Sequence, residues 1–251
     1  MLVWAIRQMA AAASTGDQPY GRAIRSSVPE AGEAGDRAAL KLACLFLERI
    51  PAEPAQAAEK RVTVQAPWPL PAVIVAYHIT YDGHPDSYPL HIAGKVMTDG
   101  DSSRMYQSLV YDKQLAVTAF GGANLIEDPH LFFTAAIVQP GHTAEETTAA
   151  LIAEIDRLKD GGITERELQR AKNQFARDYI VGRQTVRQKA LQLAHAVVIH
   201  RDITTADGEF DIFQHLTVDD VQRVARTYFT DANRTVITIQ PSAPTGSGGA
   251  R

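Results

Sequence analysis

Two histidines one helical turn apart, with a glutamate beside them, would hold a zinc ion and activate its water, which is the chemistry of zinc hydrolases. Neither the forward nor the reversed form of that motif occurs among the eight histidines of this chain. His142 opens a His-Thr-Ala-Glu-Glu run but has no second imidazole. His195 and His200 are five residues apart, which on a regular helix separates them by about 140°, so they read as ordinary helix residues. His84 and His91 share a region without a ligand spacing. No three side chains are expected to converge on a divalent ion and ionise its water. A nucleophile elbow is also missing, since Ser247 lies among glycines in the tail and follows no strand pattern. Ala93-Gly94-Lys95 lacks the first glycine and the hydroxyl of a phosphate loop. Gly121-Gly122 follows one strand and leads to another, so it cannot present a helix N-terminus to a pyrophosphate.

The elements that would position any site follow from hydrophobic period and punctuation. Arg61 to Gln65 and Val73 to Ile79 are β-branched runs separated by Pro67, Pro69 and Pro71, and they predict two strands. Ser87 to Met97 and Ser102 to Asp112 predict helices. Leu115 to Phe120 and Leu131 to Val138 predict paired strands joined by a loop containing Gly121 and Gly122. Thr143 with Glu146 and Thr164 with Glu167 have capping-box spacing, and Gly161-Gly162 ends the first of the two helices they start. A third helix is expected over Thr185 to His200 and a fourth after Thr217, followed by a strand over Arg234 to Gln240. This order favours an α+β fold, a two-layer sandwich of a mixed or antiparallel sheet with helices on one face, over a doubly wound parallel sheet.

Upstream, Ser14 to Gly35 reads as loop, and Leu40, Cys44, Leu47 and Ile50 stripe a short amphipathic helix that Pro51 and Pro54 stop. The Ala-, Pro- and Glu-rich segment 51–60 reads as a linker, and 241–251 as a disordered tail. The apolar start Met1 to Ile6 is interrupted by Arg7 with no basic segment before it, so no cleaved signal is expected. With 45% hydrophobic and 22% charged residues, the 251-residue chain sits near the soluble globular average. It has no apolar run approaching the ~20 residues of a bilayer span. A net charge of −4 argues against a nucleic-acid partner. The lone Cys44 permits no internal disulfide and leaves the redox compartment open.

The run Asp99-Gly-Asp-Ser-Ser-Arg-Met-Tyr-Gln-Ser-Leu-Val-Tyr-Asp-Lys-Gln-Leu-Ala116 resembles the signature of the C-terminal domain of the insulinase and pitrilysin family of zinc metallopeptidases. The likeness continues through Arg61-Val-Thr-Val, Ala76-Tyr-His-Ile, Gln139-Pro-Gly, Ala171-Lys-Asn-Gln, Val218-Asp-Asp-Val-Gln-Arg-Val-Ala and Asn233-Arg-Thr-Val-Ile-Thr-Ile. Residues 61–240 are thereby identified as that domain. Gln18-Pro-Tyr-Gly-Arg22 and Leu40 to Pro51 resemble pieces of the preceding domain, so 1–50 is expected to be its remnant.

The resemblance implies a noncatalytic, substrate-binding half of a zinc metallopeptidase. Such a chain carries no cofactor of its own and is inactive alone. A partner domain or subunit bearing His-x-x-Glu-His supplies the zinc site, as in a heterodimer acting on peptides. In the family this half commonly grips the substrate backbone with an arginine and a tyrosine. Here Tyr111 stands at the arginine position and Val117 at the tyrosine position. Arg104, seven residues before Tyr111, aligns with the Ser-Ser-Arg motif. Tyr111 and Arg104 are the candidate substrate-binding residues, with Arg104 also read as a structural helix residue and Tyr111 as a core-edge aromatic. A structural or assembly protein of the same fold, or a truncated nonfunctional fragment, stays open beside this reading.

Overall fold

The computed structural model describes residues 54–242. The expected remnant over 1–50, the start of the 51–60 linker and nearly all of the expected tail lie outside the described residues.

The expected strand pair is present as β1 (Lys60–Ala66) and β2 (Ala72–His78). Helix α1 (Ser87–Thr98) follows, then a π-helical segment (Tyr106–Asp112). Strands β3 (Ala116–Ala123) and β4 (Leu131–Val138) come next. The second half is α2 (Ala144–Gly161), α3 (Glu165–Val181), α4 (Val186–His195), a π turn (Ala196–His200), α5 (Thr205–His215) and α6 (Val218–Tyr228). β5 (Arg234–Pro241) closes the chain of elements.

Among the described residues five strands form one sheet in the order β1-β5-β2-β4-β3. β5 runs parallel to β1, and every other neighbour is antiparallel. The last strand is therefore inserted between the first two, with Ile237 paired to Val62 on one side and to Ile74 on the other.

Strand alternation decides which face the helices cover. Val73, Val75 and Tyr77 of β2, Phe132, Ala136 and Val138 of β4, and Val236 of β5 are at most 2% exposed. They share one core with Leu90 and Val96 of α1, Leu151 and Ile155 of α2, and Val221 and Val224 of α6. Phe229, just past α6, packs its ring 4.6 Å from Phe132 and 5.2 Å from Tyr77. On the opposite face Val62, Val64 and Phe120 are nearly half exposed. The large buried side chains of the sheet lie on the helix-covered side, which makes this a two-layer α+β sandwich, as expected.

Helix starts are fixed locally. The expected boxes Thr143–Glu146 and Thr164–Glu167 are both closed, and Thr185–Gln188 and Thr217–Asp220 form two more. Each satisfies two backbone N–H groups that a helix start leaves without partners. At the other end of α2, Gly162 adopts φ +67°, the conformation that turns the chain into α3.

Four expectations need correction. The helix expected over Ser102 to Asp112 is mostly π-helical, with the Lys113 N–H donating to the Ser108 carbonyl. Gly121 and Gly122 lie inside β3 instead of in a loop. The helix expected over Thr185 to His200 is regular only to His195. Helix α5 was not expected at all: Gly208 and two aspartates weaken its propensity, and tertiary packing holds it instead. Phe213 stacks on Phe175 of α3 at 3.7 Å, and Phe210 meets Tyr179 at 5.2 Å. Among the described residues no helix is long and apolar enough to cross a membrane.

Candidate functional site

The π-helical segment that carries Tyr111 is fastened to the helical layer at two points. At its start, Arg104 Nε donates to Glu167 Oε1 at 2.6 Å, and Arg104 Nη2 donates to Glu167 Oε2 at 2.8 Å and to the Gly162 carbonyl at 3.0 Å. Glu167 is also the acid of the α3 capping box, accepting the Thr164 N–H at 2.8 Å. Burial opposes ionisation of this carboxyl, but the guanidinium and the Thr164 amide outweigh it and hold its pKa at about 2. Arg104 thus locks the α2–α3 turn, the structural part of its two expected roles. In the middle of the segment, Ser108 Oγ donates to Glu154 Oε1 at 2.6 Å. Glu154, only 2% exposed, also receives Arg157 at 2.8 Å and lies 3.6 Å from Lys113.

Tyr111 projects from this anchored segment and is 57% exposed, with its ring edge-on to Tyr106 at 5.5 Å. The segment packs against β3, the edge strand of the sheet. Val117 sits at the irregularity between Ala116 and Thr118 and is exposed as well. Tyr111 and Val117 are therefore both exposed, while Arg104 Nε and Nη2 are committed to protein partners.

Four of the eight histidines fall into three kinds of setting. His142 lies 3.6 Å from Glu146 in the turn before α2, with no second imidazole in reach of a shared ion. His91 packs edge-on against Phe213 and Phe175 at 5.4 and 6.0 Å. Burial, reinforced by the charge of Lys95, pushes its pKa down to about 4. The unfolded value is about 6.5. Between these two values the unfolded chain binds the extra proton, so stability is complete above pH ~6.5 and falls as pH drops toward 4. Acidification from pH 7 to 5 is expected to lower unfolding free energy by about 2 kcal/mol through this residue. Urea midpoints of His91→Gln should decline less steeply over that range than those of the wild type, and parallel declines would exclude His91 as the cause.

His195 and His200 are the third kind, and they contradict the expected separation. Their rings are 5.6 Å apart. The regular helix ends at His195 and the π turn carries the chain on. A turn closed by i→i+5 bonds brings a residue five positions on back over its starting point. Asp82, in the loop after β2, places Oδ2 2.9 Å from His195 Nε2. Ligand-type atoms of Asp82, His195 and His200 all lie within 4.8 Å of one another, so three such groups do converge. Sequence reasoning missed this trio because Asp82 is remote in the chain and the π turn leaves no periodic signature.

The model of the peptidase M16 inactive domain matches residues 47–175. The zinc protease PqqE of Helicobacter pylori is 29% identical over 169 residues, which cover 67% of this chain and 38% of that protein. A crystal structure of a protease from Helicobacter pylori superposes with a TM-score of 0.70 at 25% identity, over 84% of this chain and 53% of that one. The inactive peptidase domain from Bordetella parapertussis superposes with a TM-score of 0.64 at 25% identity, over 74% of this chain and 98% of that one. The chain thus spans well under two thirds of the PqqE protein and about half of the Helicobacter pylori protease structure.

Proposed function

Because this chain belongs to the peptidase M16 inactive-domain family, we propose that it is the noncatalytic, substrate-binding half of an insulinase-type zinc peptidase. A partner domain or subunit carrying His-x-x-Glu-His supplies the zinc and the general base. The family's own ligand set for the catalytic ion is not present: the His-x-x-Glu-His motif is absent from the sequence, His142 stands alone, and His91 is packed among phenylalanines. No hydrolytic step is assigned to this chain, and peptide turnover requires the partner.

The observation that supports the reading is the exposure of Tyr111 on a segment fastened by Arg104–Glu167 and Ser108–Glu154. A phenol held on a rigid support can donate to a peptide carbonyl, and to the oxygen that gains charge as the bond is attacked. Among the described residues the outer edge of β3 beside it has no partner strand, and such an edge can accept an extended chain. With the catalytic partner present, Tyr111→Phe is expected to raise peptide KM or lower kcat about three- to tenfold, the worth of one hydrogen bond. Wild-type kinetics in that variant would remove Tyr111 from the site. Peptide cleavage by the isolated chain would overturn the noncatalytic assignment.

The replacement of both gripping residues supports a second reading, a structural or assembly protein of the same fold. Crosslinking of a photoreactive peptide to Tyr111 or to β3 favours the first reading, and its absence in an assembled complex favours the second.

A further inference from the structure

We propose that Asp82, His195, His200 and Glu209 form a divalent transition-metal site that pins the helices after α3 to the loop after β2, with zinc as the natural occupant by ligand chemistry. Nothing in the peptidase reading requires this site, and it is independent of the zinc assigned there to the partner.

The donor set is the first observation. His195 Nε2 and Asp82 Oδ2 are 2.9 Å apart, and Glu209 Oε1 lies 3.7 Å from His200 Nε2. Zinc holds nitrogen and oxygen ligands at about 2.0–2.2 Å in a tetrahedron, which requires donors a little over 3 Å apart. Closing a shell from a trio already within 4.8 Å needs side-chain movements of about 1 Å. Two neutral imidazoles and two carboxylates would also balance the charge of the ion, and a set of this mixed hardness suits zinc, cobalt or nickel over magnesium or calcium.

The second observation concerns His200 by itself. Its side chain is 6% exposed, and its Nε2 is buried with no hydrogen-bond partner. Native interiors rarely leave such a nitrogen unmatched, and a bound ion is one of the standard explanations. Room for the ring depends on Gly83, next to Asp82: a Cβ there would lie 3.2 Å from His200 Nδ1, and φ is +91°. The glycine admits the imidazole against the loop that carries the aspartate. The π turn supplies the third feature, since it is the irregularity that brings the two histidines together, and π turns concentrate at functional sites.

The site is reachable. A cavity of about 270 Å³ opens beside it, lined by Arg183, Leu191, Gln192, His195, His200 and Glu209. Arg183 does not oppose an ion there with an unpaired charge, because its guanidinium holds Asp207 at 2.8 Å and lies over the Tyr179 ring at 3.7 Å. The ligands come from three separate pieces of chain: the loop after β2, the α4–π-turn junction and α5. An ion bound by all of them would raise the melting temperature through mass action.

The test uses the full chain, stripped with chelator and titrated with zinc chloride by calorimetry, with cobalt chloride followed by absorbance in parallel. Saturable zinc binding, a tetrahedral cobalt spectrum and a zinc-dependent rise in Tm are expected. His200→Ala should weaken binding at least about 100-fold, as removal of a ligand exceeds the 10–100-fold effect of an outer-shell change. His142→Ala should change nothing. Circular dichroism establishes whether His200→Ala folds; if it does not, Asp82→Asn and Glu209→Gln decide, each expected to weaken zinc at least about tenfold. Zinc binding that survives these ligand substitutions, or a chain that takes up no zinc below millimolar concentration, overturns the site. Zinc bound without peptide cleavage supports it and leaves the noncatalytic reading intact, whereas cleavage by the isolated chain would sink that reading alone.

Discussion

Gly121→Ala is expected to unfold or severely destabilise the domain, by about 4 kcal/mol or more, which places it among the most damaging single substitutions. A Cβ at Gly121 would lie 2.1 Å from the Phe133 carbonyl oxygen and 2.9 Å from Thr134 Cα. Both are backbone atoms of the neighbouring strand, and β4 cannot retreat because its other side is paired residue for residue with β2. Relief requires β3 to peel from β4, and β3 carries Ala116 and Ala119 into the core. Gly94 of α1 packs against the same stretch, with an added Cβ only 3.1 Å from the Ala123 amide nitrogen, so separation would open the helix–sheet contact as well. Gly161→Ala is the control, since an added methyl there meets nothing within 4 Å and φ is not positive. Urea unfolding should show a midpoint near wild type for Gly161→Ala and little or no folded baseline for Gly121→Ala. Similar midpoints for the two would mean that β3 is not held as described.

Arg104→Met should lower stability by about 3 kcal/mol at neutral pH. The substitution keeps the length of the side chain while removing three hydrogen bonds, two to Glu167 and one to the Gly162 carbonyl. It strands a carboxylate that is only 20% exposed. The sign of the pH dependence is fixed by the direction of the Glu167 shift. Its folded pKa of about 2 lies below the ordinary carboxylate value, so its contribution is complete above pH ~4.5 and disappears as pH falls through 2. The gap between wild type and Arg104→Met should therefore be wide at pH 7 and narrow steadily below pH 4. Arg104→Lys should recover little, because an ammonium cannot hold both carboxylate oxygens and the Gly162 carbonyl in one fork. A gap that persists unchanged to pH 2 would locate the loss in packing instead of the ion pair.

Much of the fold was legible because its signals are local. Apolar and β-branched runs placed β2, β4 and β5 nearly to the residue. The Thr-x-x-Glu spacing marked the starts of α2 and α3 without reference to anything distant. What escaped depends on contacts across the chain. Helix α5 is held by the Phe175–Phe213 and Tyr179–Phe210 ring pairs, and its own residues argue weakly for helix. Gly121 of β3 reads as a loop residue because its reason for being glycine lies in the neighbouring strand. Motif likeness brought Tyr111 to notice, yet the partner that makes Arg104 a fastening stands 63 positions away at Glu167. His195 and His200 were set apart by assuming an ideal helix, and one π turn reverses that geometry.

The position of β5 has a consequence for how the protein is made. Within this domain β1 emerges first from the ribosome but has β5 as its sheet neighbour, so it waits unpaired while about 170 residues are synthesised, on the order of ten to thirty seconds at ordinary elongation rates. During that interval β2 also has one open edge, and the Val62, Val64 and Ile74 side chains have no final setting. The nascent chain is most exposed to wrong pairing before its last strand arrives, and a holdase that shields β1 and β2 would matter more to yield than any helper of the helical layer.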